Sequence, residues 1–264
     1  MASRCCVVIC YWTGRAPRAL YRLLRQMRDV PAGEPYDVVI VCNGGDQRPL
    51  RLPADLQSPH IELVMRPNAG WNLAAWDEGW RRARDHEYFL FLQAECVIRT
   101  AGWLARFVRR MESDSTLGLV GERLSWQNMT WEYAREATRL DLEDAGRSPT
   151  PGALEAIDAY RTLLTQHGID PGTHGTHLDS IILFSSRRVL EQIGGLPVLG
   201  DSYLQAVASE IGASRRVVSA GYRIAQLADE PFFRISHTQW MPRSRFARLR
   251  ERVQDKLDRV FGWH

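Results

Sequence analysis

Apolar positions arrive along this chain in short continuous blocks, separated by stretches with helical spacing. Cys5–Tyr11 (CCVVICY), Tyr36–Cys42 (YDVVIVC), Ile61–Met65 and Tyr88–Leu92 are runs rich in β-branched and aromatic residues, interrupted only by Asp37 and Glu62. Such runs predict strands buried on both faces. Between them, Leu20, Leu23, Leu24 and Met27 fall on one helical face behind Pro17, which suits a first helical turn. Further helices are predicted over Trp71 to Arg84 and Trp103 to Met111, with a short strand over Leu117–Gly121. Leu124 to Pro151 mixes Trp126, Trp131 and Tyr133 with many charges and is expected to form an excursion over a site. Beyond it the pattern predicts a helix over Ala153–Gln166 ended by Gly168, a strand over Leu178–Ser185 and a short helix over Arg187–Ile193. A longer helix from Ser202 to Ala220 and a last strand over Tyr222–Leu227 complete the pattern. Alternating strands and helices predict an α/β fold with a doubly wound, mostly parallel sheet.

A chain of 264 residues is long enough for one such domain. The net charge of +3 is nearly balanced and no nucleic-acid-binding motif is present, so nucleic acid is not an expected partner. Charge interrupts every apolar run before a bilayer-spanning length, and the first residues lack a signal-peptide pattern, so a cytoplasmic location is expected. Cys5, Cys6, Cys10, Cys42 and Cys96 lie in or beside predicted strands without metal-ligand spacing. Buried free thiols are the expectation, with an N-terminal zinc site as the weaker alternative. From Met241, the stripe Phe246, Leu249, Val253, Leu257 and Val260 is flanked by arginines and Lys256. It predicts a basic amphipathic helix over 241–264 that packs on the domain or a partner, or, less readily, touches an anionic membrane.

The candidate chemistry lies where the strands end. The fourth run stops at Gln93-Ala94-Glu95, an amide and a carboxylate one residue apart. The first ends at Tyr11-Trp12-Thr13 and the second at Cys42-Asn43-Gly44-Gly45-Asp46, which alone reads as a turn. The third runs into Arg66-Pro67-Asn68-Ala69-Gly70-Trp71-Asn72, where small residues let a helix start approach a ligand and turn N–H groups toward it. Polar groups at the carboxyl ends of parallel strands are what a nucleotide site in an open α/β sheet requires. Farther on come His174-Gly-Thr-His177, the Gly194-Gly195 turn, Ser209-Glu210 on a helix that runs to Gly221-Tyr222-Arg223, and His237. Taken singly, each has a plain structural reading: a capped loop, a turn, a solvated helix carboxylate, a lone surface histidine. Asp179 and Ser185-Ser186 read as local structure.

In order and spacing these segments resemble the family 2 type of GT-A glycosyltransferase, over roughly Cys5 to His237. The resemblance implies the GT-A fold over 1–240 and inverting transfer from a nucleotide-diphosphate sugar, with UDP, GDP or dTDP as the nucleotide. The acceptor would be a polysaccharide, a lipid-linked intermediate or a small natural product. It implies that Thr13, Asn43, Arg66, Asn68, Gly70, Asn72, Gln93, Ala94 and Glu95 line the donor. Gln93-Ala94-Glu95 stands where the family has Asp-x-Asp, and Cys42 where it has a strand-end Asp, so one metal carboxylate and one base-recognising group are replaced. Glu95 with His237 would hold a divalent cation, Mg²⁺ or Mn²⁺. Glu210 falls at the family's catalytic Asp and would be the general base, with His174, His177 and Gly195 on the acceptor side. Two other outcomes compete. One is a catalytically weakened domain that binds a nucleotide sugar or partner without turnover. The other is a sugar-phosphate nucleotidyltransferase, whose Gly-rich first loop is absent, since Trp12-Thr-Gly-Arg15 is too short.

Overall fold

The computed structural model describes residues 3–144 and 153–238. The chain opens with β1 (Cys5–Trp12), α1 (Arg18–Asp29), β2 (Tyr36–Asn43), β3 (Ile61–Arg66), α2 (Trp71–Arg82) and β4 (Tyr88–Gln93). It continues through β5 (Cys96–Ile98), α3 (Trp103–Glu112), β6 (Leu117–Gly121), β7 (Leu124–Ser125), α4 (Trp131–Asp144) and α5 (Ala153–Gln166). The last elements are β8 (His177–Leu178), β9 (Ile182–Ser186), α6 (Arg187–Gln192), α7 (Tyr203–Ser219), β10 (Arg223–Gln226) and β11 (Ile235–His237). Seven strands form one sheet in the order β10-β6-β9-β4-β1-β2-β3. Strands β1 to β4 are parallel neighbours, as are β6 and β10, and only β9 runs antiparallel, between β4 and β6.

Alternation along β1 shows why its run is apolar throughout. Cys5, Val7, Ile9 and Tyr11 enter one core layer with α1 and α3; Cys6 and Val8 enter the opposite layer with α2, α6 and α7. Residues Leu20, Leu23, Leu24 and Met27 are the buried face of α1, as their spacing predicts. The α2 helix sits unusually close to the sheet because Gly79 has no side chain: a Cβ there would come within 2.3 Å of Val8. Trp76, fully buried, satisfies its indole N–H on the Leu92 carbonyl at 3.0 Å. A third, smaller core joins Trp131, Ile157, Leu164 and Ile211 of α4, α5 and α7. All five cysteines are free, and four of them are buried. Burial pushes the thiols of Cys5, Cys10 and Cys42 up to about 12, so they behave as small apolar groups.

Two expectations change and a third gains detail. The strand expected over Leu178–Ser185 is broken: β8 ends at Leu178, and β9 begins at Ile182 after a tight turn in which the Ile181 N–H meets the Asp179 carbonyl at 2.8 Å. The break follows from competing partners, since Ser180 is drawn to three side chains described below. His237 does not follow the last strand; it lies within one, β11, paired antiparallel with β5 so that His237 faces Cys96. The excursion after Leu124 contains β7 and the α4 helix rather than irregular chain. The basic helix expected over 241–264 lies outside the described residues.

Candidate functional site

Parallel strands bring their carboxyl ends to one edge, and the register lines up Trp12 with Asn43, Asn43 with Arg66 and Cys10 with Gln93. The predicted donor residues therefore gather there. Asn43, 2% exposed, accepts from the Arg66 guanidinium at 2.7 Å and donates to the Trp71 carbonyl at 2.9 Å. Arg66 also donates to the Ala69 carbonyl at 2.8 Å and pairs with Glu78 at 3.0 Å. These two residues thus brace the loop between β3 and α2. The Thr13 hydroxyl and amide both reach the Asn43 carbonyl, at 3.1 and 3.0 Å. Asn68 is exposed beside them. Gly70 takes φ 68°, and a Cβ there would strike Ala74 and Val198. Its N–H is capped by the Asp201 carboxylate, which ties the start of α2 to the loop before α7. Ala94 is buried, its N–H on the Cys10 carbonyl at 3.0 Å.

Ser180 joins this edge to the acceptor side. Its carbonyl accepts from the Gln93 amide at 2.9 Å and from the Asn72 amide, while its N–H donates to the Glu210 carboxylate. One peptide therefore links the end of β4 and the start of α2 to the middle of α7.

Glu210 does not stand alone. His177, 4% exposed on β8, places its Nε2 at 3.5 Å from the Glu210 carboxylate and its Nδ1 at 2.7 Å from the Gly175 carbonyl. Burial opposes charge on Glu210, but the His177 ring and the Ser180 contact outweigh it and hold this carboxyl below its usual range. Burial likewise favours a neutral His177, yet the Glu210 carboxylate raises its pKa. Asp179, two residues along, meets Ser125 and pairs with Arg123 at 3.3 Å. Burial and the Glu210 charge raise its pKa, offset in part by Ser125 and Arg123. Sequence reading passed over Asp179, Ser180, Arg123, Ser125 and Asp201. The one available signal was the alternation of His177 and Asp179 along a strand, which puts both on one side.

Other predicted residues are scattered. His174 is exposed and its ring meets the neighbouring Thr173 hydroxyl at 2.8 Å. Gly195, φ 92°, packs over the Asp77–Arg81 ion pair. Glu95 is partly exposed and pairs with Arg15 at 3.3 Å. His237 is buried one strand away, and the Thr238 N–H bonds the Glu95 carbonyl at 3.3 Å. Among the described residues, three ligand atoms suited to a cation come together at His177, Asp179 and Glu210, within 4.8 Å of one another, rather than at Glu95 and His237. There Arg123 already supplies positive charge to Asp179.

A largely parallel α/β sheet, with amides and carboxylates gathered at its strand ends and a carboxylate helix facing them, is the architecture of a GT-A transferase. The chain belongs to glycosyl transferase family 2, whose family model it matches over residues 5–171. No curated protein matches it. His177, Asp179 and Glu210 lie beyond the matched residues, so their roles must be argued from geometry.

Proposed function

We propose that this glycosyltransferase moves a sugar from a UDP, GDP or dTDP sugar to an acceptor hydroxyl in one inverting step, with Glu210 as general base. The supporting observation is the Ser180 backbone, whose N–H bonds the Glu210 carboxylate while its carbonyl accepts from the side-chain amides of Asn72 and Gln93. The acceptor oxygen attacks the anomeric carbon as its proton passes to Glu210. The bond to the diphosphate breaks, and the nucleotide leaves with the electron pair. A carboxylate held below its usual range is ionised at neutral pH, ready to accept that proton.

Thr13, Asn43, Arg66, Asn68 and Asn72 would form the donor wall, with Gly70 letting the start of α2 approach, while His174, His177 and Gly195 would border the acceptor. A divalent cation, Mg²⁺ or Mn²⁺, fits the oxygen of Glu95 and a nitrogen of His237 as donor chemistry. It would supply positive charge to the departing diphosphate. A fit at Glu95 means displacing Arg15, itself exposed and free to swing away. No helix among the described residues is long and apolar enough to cross a membrane.

One observation favours the weakened-domain reading: the Gln93 amide is engaged with Ser180 rather than being a second carboxylate for a metal. A panel of UDP-, GDP- and dTDP-sugars with Mn²⁺, read by nucleotide release and thermal shift, separates the two. Release with at least one donor is expected. Thermal stabilisation with no release from any donor would point to a binding domain instead.

A further inference from the structure

Trp71 and Trp126 share a backbone that bulky residues rarely adopt, with φ of 54° and 50°. Holding such a residue there costs of order 1–3 kcal/mol and is concentrated at sites where the displaced side chain has work to do. At Trp71 the strain presents an indole that remains 45% exposed. Its N–H is already bonded to the Asp201 carbonyl at 2.7 Å, so what the ring offers outward is its apolar surface. Tyr203 meets it edge-on at 6.2 Å and is itself 72% exposed.

From this rim aromatic groups lead inward. Tyr160 packs against the same small core as Val207, one helical turn along α7 from Tyr203, and burial raises the pKa of its hydroxyl. Tyr160 packs at 6.4 Å from Trp126, and Trp126 stands edge-on to His177 at 5.2 Å. His177 in turn touches Glu210. On α7, Tyr203 and Glu210 are seven residues apart, so they lie on the same side, about 10 Å apart along the axis. The aromatic run is thus continuous with the carboxylate that would take the acceptor proton.

We propose that these rings form the acceptor subsite and that its ligand is a saccharide, laid by its C–H faces on Trp71 and Tyr203 with one hydroxyl directed at Glu210. This rests on the transferase reading above. The lining alternates apolar ring faces with polar edges: the tyrosine hydroxyls, His177 and Asp201. A hexose presents the same alternation, apolar on its faces and hydroxylated at its edge. A polyprenyl chain would call for a continuous aliphatic wall.

The test measures binding by calorimetry, using a panel of methyl glycosides and short oligosaccharides, a short-chain polyprenyl phosphate, and UDP, GDP and dTDP. At least one saccharide should bind. Trp71→Ala or Tyr203→Ala should weaken it tenfold or more, Tyr203→Phe less than threefold, and nucleotide affinity should change less than twofold. Tyr203 is exposed enough that its replacement leaves the fold intact even if Trp71→Ala does not. The subsite is refuted if no saccharide binds, if saccharide affinity ignores both rings, or if polyprenyl phosphate alone binds through them. Any of these leaves the transferase reading standing when a nucleotide sugar still turns over. Failure of every donor to turn over would instead sink the transferase reading, while ring-dependent saccharide binding would uphold the subsite.

Discussion

The proposed donor edge and the proposed acceptor side are held together by different chemistry. At that edge, Thr13, Asn43, Asn72 and Gln93 are neutral groups bonded mainly to backbone, and the partly buried cation Arg66 is fixed by Asn43, Ala69 and Glu78. The proposed acceptor side instead brings two carboxylates and an imidazole together beneath the surface, with Arg123 paired to Asp179. Neutral bonding makes a rigid surface that can recognise a ligand without changing its own charge. Crowded ionisable groups with shifted pKa values make a place where protons can move. On the proposed function the two halves would divide recognition from proton handling, with the Ser180 backbone between them.

The sharpest break of that division is Glu210→Gln. The amide keeps the shape but cannot take a proton, so transfer should fall on the order of 10³-fold, or about 4 kcal/mol of barrier. Nucleotide affinity, measured separately by calorimetry, should be nearly unchanged. In the unaltered protein, activity should be lost on the acid side only as pH falls through the lowered Glu210 pKa, below the ordinary carboxylate range. Full transfer by Glu210→Gln would remove the base from α7.

Glu122 sharpens the comparison from outside both halves, because it is a buried carboxylate without an ion pair among the described residues. It is 1% exposed, follows β6 and accepts the N–H groups of Arg234 and Ile235 at 3.1 and 2.9 Å, while its Oε2 has no bonding partner among the described residues. Burial, only partly offset by those N–H groups, pushes it from 4.5 up to about 7. A carboxyl with a raised folded pKa keeps its proton longer in the folded state than in the unfolded one. Stability should therefore fall as pH rises from about 4.5 to about 7, by up to about 3 kcal/mol from this group. Glu122→Gln should flatten that slope in denaturant titrations at pH 5 and 8. An unchanged slope would mean the carboxylate is better solvated than its surroundings imply.

The two halves also differed in how legible they were. The donor edge follows from continuous apolar runs whose ends are local in sequence, so Thr13, Asn43, Arg66 and Gln93 could be placed at one sheet edge from the pattern alone. Periodicity likewise marked the buried face of α1 and the course of α7. The acceptor cluster is assembled from β8, the turn after it and α7, and no local pattern says that Asp179 will face Glu210. Ser180 carries its role on its peptide, which every residue type possesses. The β5–β11 pair was missed for a similar reason: Cys96–Ile98 is only three residues long, and its partner is far along the chain. Trp71 was read as the start of a helix, and neither spacing nor type foretold its positive φ.

On the donor side, Asn43→Ala tests whether the neutral network is structural. It removes the bond to the Trp71 carbonyl and leaves the Arg66 guanidinium one acceptor short, though still bonded to Ala69 and paired with Glu78. A loss of about 2 kcal/mol in denaturant unfolding is expected. A change below about 0.5 kcal/mol would mean that water replaces Asn43, leaving its side chain available for the nucleotide.

The smallest effect is expected from Arg15→Ala, and it bears on the one carboxylate at the donor edge that stands apart from the neutral network. Arg15 and Glu95 form an ion pair in which the arginine is 67% exposed. Such a pair contributes little, so stability should move by less than about 0.5 kcal/mol. If Glu95 holds the divalent cation, however, Arg15 competes for the same oxygens. Its removal should lower the Mn²⁺ concentration needed for half-maximal nucleotide release severalfold at saturating donor, and Glu95→Ala should abolish that response. A Mn²⁺ requirement indifferent to both changes would take the metal away from Glu95. Arg66 would then remain as the charge of the donor edge, with the carboxylate chemistry left to the side that carries Glu210.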